Sequence, residues 1–202
     1  TQKSYKEESK QDSFSDEYTE YFVSDILPKY QDLTNEINHE QINKTFAVSL
    51  EDGSSAWVVE VKNEENKFSH YLVSRFVQRK LSNSMISQAG TTGTCKLNKV
   101  VSVDDFLILP STECIAYGSG STIAVYSLST GEQIKLTGQN FTKPGTSWKA
   151  LSEEGNTFGD LVGIYGRTKP TLVVEYGSQD TSNALAYFDL QTGKLIKKEI
   201  FN

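Results

Sequence analysis

Cysteine, histidine, proline and methionine are all scarce: among 202 residues there are 2 Cys, 2 His, 4 Pro and 1 Met. His39 and His70 lie far apart, and no H-x-x-H, H-E-x-x-H or C-x-x-C spacing occurs, so the sequence carries no zinc motif. No metal and no cofactor is expected. Nor does any stretch approach the roughly 20 apolar residues that a membrane-spanning helix requires. Basic residues are outnumbered 26 to 20, for a net charge of -6, which disfavours nucleic acid as a partner because a phosphate backbone needs neutralisation by Lys and Arg. The local cluster Lys194, Lys197 and Lys198 reads as a solvated strand edge that resists aggregation.

Catalytic signatures are missing too. The "GSGS" at Gly118 to Ser121 is neither a nucleophile elbow nor a dinucleotide fingerprint, because Ile123 stands where the third glycine would be. "GQNFTKPGTS" lacks the G-K-[ST] order that cradles phosphate. Carboxylates are plentiful: Asp104, Asp105, Glu153, Glu154, Asp160, Glu175, Asp180 and Asp189. A glycosidase needs two of them facing across a cleft, and adjacent Asp104 and Asp105, read as strand residues, would point to opposite faces. Oxygen donors in "SQDTSN" could serve calcium, but the EF-hand pattern is absent.

The two thiols, Cys95 and Cys114, are nineteen residues apart and are the candidates for a disulfide, which would stabilise by about 3 kcal/mol through loop closure. The charged N-terminus without a starting Met reads as a mature or trimmed end, and the polar, Tyr-rich, Met-poor composition suits an extracytoplasmic protein, whether secreted, periplasmic or surface-anchored. The sequons at Asn43 and Asn140 fit export in a eukaryote, although such triplets also arise by chance.

What is present is organised. Residues 1–14 are polar and read as disordered or extended. Over residues 15–44, Tyr18, Phe22, Ile26, Tyr30, Leu33 and Ile37 recur at helical spacing, and Pro28 divides the stripe into a helix ending near Ile26 and a second running to about Asn43. Residues 45–202 then switch to period two. "FAVSL", "AWVVEV" and "KFSHYLVSRFV" read as a three-stranded meander turning on Asp52-Gly53, although residues 68–81 also fit a helix; Trp57 is assigned to the core. "KVVSV", "FLILP", "ECIAYG", "TIAVYSL" and "QIKLT" follow, then a short helix in "TSWKALSEEG", then "LVGIYG", "TLVVEYG", "ALAYFDL" and "KLIKKEIF". The fold class is mainly β with N-terminal helices (α+β), an antiparallel sandwich, barrel or propeller-like sheet built from meander hairpins.

One segment is echoed. "YGSGSTIAVYSLSTGEQIKL" from Tyr117 resembles "YGSQDTSNALAYFDLQTGKLIKK" from Tyr176, with Gly131 matching Gly193 and three extra residues in the second copy's loop. The shared L-x-T-G predicts a hairpin turn with glycine at positive φ, a structural device rather than a functional motif. Function is expected in the long irregular stretch between the copies, where Phe141, Trp148 and Phe158 are the candidate binding residues. The leading expectation is a non-enzymatic binding or interaction module using the loops of a β-rich domain, with a protein or carbohydrate partner. The alternatives are a glycan-directed hydrolase with paired carboxylates and a subunit of a larger β assembly.

Overall fold

The computed structural model describes residues 10–12, 16–82, 96–97, 99–112, 122–136, 156–165, 169–178 and 184–200. It is an antiparallel β structure with short N-terminal helices. Among the described residues there are three sheets. The first comprises β2 (Ile42–Ser49), β3 (Ser55–Lys62), β4 (Phe68–Val73) and β5 (Gln78–Lys80) in that order. The second is ordered β1 (Lys10–Asp12), β7 (Val100–Val103), β8 (Phe106–Thr112), β9 (Thr122–Ser127), β10 (Gln133–Ile134), with β6 (Lys96–Leu97) also pairing with β8. The third is β11 (Asn156–Tyr165), β12 (Thr171–Ser178), β13 (Ala184–Asp189) and β14 (Leu195–Ile200).

Residues 68–81 therefore form neither one continuous strand nor a helix but a hairpin, and the expected three-stranded meander has a fourth strand. Ser74 makes the turn: its hydroxyl accepts from the amides of Phe76 and Val77, and its own amide donates to Val77 O. Asp104 and Asp105, read as strand residues, also form a turn, with Asp104 at φ 48°, a conformation that Asp tolerates better than most side chains. Within the leading polar segment, Lys10–Asp12 pairs with β7 across Val100 to Ser102.

The helical stripe is shorter than its spacing suggests. Helix α1 (Asp16–Tyr21) runs into a π-helical turn over Phe22–Ile26, in which the Leu27 amide donates to Phe22 O. That i to i+5 step moves the buried position from Ile26 to Leu27. Pro28 sits inside a 3-10 turn, Leu27–Lys29, and α2 covers only Gln31–Glu36 because Ile37 is already extended. The second helix thus ends well before Asn43, and β2 begins at Ile42.

Alternation along β3 divides the core. Trp57, Val59 and Val61 face the helices and join Phe22, Leu27, Leu33 and Ile37, whereas Ala56 and Val58 face the second sheet. Trp57 is buried as expected, with the rings of Tyr18, Tyr21 and Phe22 at centroid distances of 6.2, 5.6 and 6.2 Å. Replacing Trp57 with Leu is expected to cost about 2 kcal/mol in urea denaturation and to flatten the near-ultraviolet circular dichroism while leaving the far-ultraviolet spectrum unchanged.

The second sheet lies between the other two. Consecutive residues Leu107 and Ile108, and Val125 and Tyr126, are buried in one continuous core although they point to opposite faces of their strands. Tyr126 reaches toward the first sheet, its hydroxyl donating to Ser82 O at 2.5 Å, and burial pushes its phenol pKa well above the ordinary value.

The echoed turns repeat the same bonds. Gly131 N donates to Ser127 O and Ser127 N to Glu132 O; in the second copy Gly193 N donates to Asp189 O and Asp189 N to Lys194 O. Both glycines have positive φ, 72° and 75°. Each turn also lies against the outer strand of the preceding sheet, Gly131 on Val77 and Arg79, Gly193 on Ile134 and Lys135. L-x-T-G is therefore the device that seats one sheet on the next.

Candidate functional site: an acid-rimmed cleft between the first two sheets

Four turns meet where the first two sheets adjoin, and they enclose a cleft of about 690 Å³. From β2 to β3 come Leu50, Glu51 and Asp52; from β4 to β5, Phe76; from β7 to β8, Asp104 and Asp105; from β9 to β10, Leu128 and Ser129. Ser49, Ser102 and Val103 complete the lining.

Local bonding sets each side chain. The Asp52 carboxylate accepts from the Ser54 amide and hydroxyl, closing the turn beside Gly53 at φ 82°. Those two bonds, the hydroxyl's first, hold its pKa below the usual carboxylate value, with help from the Arg75 guanidinium 3.1 Å away. A general acid would need the opposite shift. Asp105 ties two turns together, accepting from the Ser129 amide at 2.8 Å and from the hydroxyls of Ser127 and Ser129 at 2.6 and 3.0 Å, while its carbonyl receives the Leu128 amide.

Phe76 is the exposed member. The Ser74 turn buries Val77 and leaves Phe76 57% exposed on the cleft wall, with the Arg75 guanidinium carbon 4.6 Å from its ring centroid. An aromatic ring held by a tight turn loses little freedom on contact with a ligand, so it can act as an anchor.

His70 belongs to a separate, interior cluster. Its Nε2 lies 2.9 Å from Oε2 of Glu60, which is fully buried. Glu60 also accepts from the Leu97 amide at 2.6 Å and from Asn43 Nδ2 at 2.7 Å, and Lys44 Nζ donates to Leu97 O at 2.9 Å. Burial alone would raise the Glu60 pKa, but His70, the Leu97 amide and Asn43 together hold it below the ordinary value. The carboxylate is charged and can only accept, so His70 donates: it is a partly buried histidine satisfied by Glu60, and neither residue lines the cleft. Asn43 reaches Glu60 because it is bulged out of the β2 and β3 register between Ile42 and Lys44. That engagement, and the full burial of Thr45, take the Asn43 sequon out of presentation in the folded protein.

The three aromatic candidates are not brought to this cleft by any described contact. Phe141 and Trp148 lie outside the described residues; Phe158 is on β11, its backbone opposite Tyr176. Cys95, Cys114, Asn140, the "TSWKALSEEG" segment and the "SQDTSN" oxygen donors also lie outside, apart from the Ser178 backbone at the end of β12. Phe76, Glu51 and Asp52 were not singled out from the sequence as binding residues. The sequence offered little signal, because Ser74 and Phe76 continue the alternation of Phe68, His70 and Leu72.

Among the described residues no group of three His, Cys, Asp or Glu is placed to hold a metal ion, and no helix is long and apolar enough to cross a membrane. Among the described residues, fold and site together define an antiparallel β structure of three sheets with a helical cap on the first and an acid-rimmed cleft between the first and second. The chain matches no family model, no curated protein and no solved structure.

Proposed function

We propose that this protein is an exported, non-enzymatic binding module that takes its partner at the cleft where the turns of the first two sheets meet. The observation that carries this reading is Phe76, an exposed aromatic ring fixed by a tight turn on the wall of a cleft large enough for a ligand. The carboxylates point the same way: those of Asp52 and Asp105 are occupied by turn hydrogen bonds, an arrangement that shapes a recognition surface rather than a proton-transfer pair.

The test is an amide NMR titration of the ¹⁵N-labelled chain with panels of oligosaccharides and of acidic, basic and neutral peptides. At least one class is expected to move the amides of residues 49–52, 102–105 and 128–129. Phe76→Ala should weaken that binding about tenfold while changing stability by no more than about 0.5 kcal/mol. Turnover of any panel glycan, or binding that leaves these amides unmoved, would overturn the reading.

A disulfide between Cys95 and Cys114 belongs to the same proposal, as export permits it. Supporting it, β6 and β8 pair antiparallel with Lys96 opposite Thr112, one residue after Cys95 and two residues before Cys114. An intact mass that rises by about two protons on reduction supports the bond; alkylation of both thiols in the unreduced, denatured protein excludes it.

A further inference from the structure

We infer that the cleft's ligand is a basic segment of a protein partner, whose Arg or Lys head is held by the acidic rim and the Phe76 ring while its aliphatic stem lies on the apolar floor. The inference rests on the binding-module reading and gives that site its ligand class. Three features of the cleft lead to it.

The first is charge. Among the described residues, every charged side chain lining the cleft is a carboxylate: Glu51, Asp52, Asp104 and Asp105. Such a rim is rich in charged acceptors, with Arg75 at its edge as the cation beside Asp52, which matches a guanidinium or ammonium, whose hydrogen-bonding groups are all donors. The net charge of -6 adds a long-range field that draws a cationic segment toward the surface.

The second feature is the floor. Val103 and Leu128 are buried beneath the cleft, with Leu50 partly buried beside them. A long basic side chain is amphipathic along its length, and an apolar floor under an acidic rim accommodates both of its parts.

The third is that the protein already carries out this recognition on itself. Arg75 places its guanidinium over the Phe76 ring at 4.6 Å and its Nη2 3.1 Å from the Asp52 carboxylate. The ring and the acid are thus arranged for a cation, and the side chain holding that place is largely exposed, so the pairing with it is weak and open to competition. A partner's arginine can bind the exposed part of the ring or take the place of Arg75.

The experiment titrates the full labelled chain with three probes: acetylated hexa-arginine, acetylated hexa-glutamate and cellohexaose. Hexa-arginine alone is expected to shift the amides of residues 49–52, 102–105 and 128–129, and its affinity should fall at least about tenfold between about 0.05 and about 0.5 M salt. Phe76→Ala and the double variant Glu51→Gln with Asp104→Asn should each weaken it about tenfold. Asn tolerates the backbone conformation of residue 104, and an unchanged melting temperature checks that both variants are folded. Equal hexa-arginine binding by wild type and both variants would mean diffuse attraction to an acidic chain and would overturn the inference. Cellohexaose or hexa-glutamate moving the cleft amides in its place would also overturn it, yet would leave the binding-module reading standing. If no probe moves them, the basic-ligand inference fails, and the wider panel of the preceding section decides the module reading separately.

Discussion

Gly193→Ala is expected to destabilise the protein by about 3–5 kcal/mol, through two separable costs. The first is conformational: at φ 75° a side chain of L configuration meets its own backbone, a penalty of about 1–2 kcal/mol. The second is steric, because a Cβ built on Gly193 would lie 1.9 Å from the Lys135 carbonyl oxygen. That oxygen belongs to the main chain beyond β10 and cannot swing aside as a side chain could. Relief therefore requires the third sheet to shift from the second, across the core that includes Leu172, Phe188 and Leu195.

The other two turn glycines provide controls. Gly53 has φ 82° but open space around its missing Cβ, so Gly53→Ala should cost the conformational part alone, about 1–2 kcal/mol. Gly131 lies between: its Cβ would approach Arg79 Cδ at 2.8 Å and Val77 Cγ1 at 3.1 Å, and the arginine can move. Urea denaturation followed by circular dichroism should rank the losses Gly193 above Gly131 above Gly53. If Gly193→Ala costs no more than Gly53→Ala, the turn does not seat one sheet on the next.

Glu60→Ala should cost about 3–5 kcal/mol, as expected when one member of a buried charged network is removed. The loss is larger than a side-chain volume implies because the Leu97 amide, Asn43 and His70 would all lose their acceptor inside the protein. The Leu97 amide is the critical one: its segment is held to the first sheet by Glu60 at the N–H and by Lys44 at the carbonyl. Glu60→Ala should therefore increase amide exchange at Leu97 more than at the centre of β3. A double-mutant cycle with His70→Ala should show coupling of about 1–3 kcal/mol.

The pH dependence has a definite sign. The folded pKa of Glu60 lies below its ordinary value of 4.5, so the unfolded chain takes up the proton first. The contribution is fully present above about pH 4.5 and fades as pH falls through the lower, folded value. Wild type should thus lose stability on acidification, and Glu60→Ala should show a shallower loss over the same range. Asp52, Glu65 and Glu199 are displaced in the same direction, but their side chains face solvent and solvent screening reduces what they add.

The amino-acid order by itself determined the local structure. Period-two alternation in "AWVVEV" and "ALAYFDL", and glycines placed after L-x-T, specify strands and turns because each signal acts over a few residues. The echoed turns could be identified in this way before any coordinates. Its failures were also local: the Ser74 turn was hidden in an apparently regular alternation, and Asp104 with Asp105 resembled a strand because a tight hairpin leaves only two residues between two apolar runs.

The contacts between sheets were decided by tertiary structure alone. Glu60 is one polar residue in an apolar strand until Leu97, Asn43 and His70, drawn from three other strands, converge on it. The cleft likewise unites four turns spread from residue 49 to residue 129, and no periodicity couples residues so far apart. Gly193 shows both levels at once. The sequence determined that a glycine turn would form there, because positive φ is a local demand. That the same glycine lies against Lys135 follows from the packing of one sheet on another, which local signals do not encode.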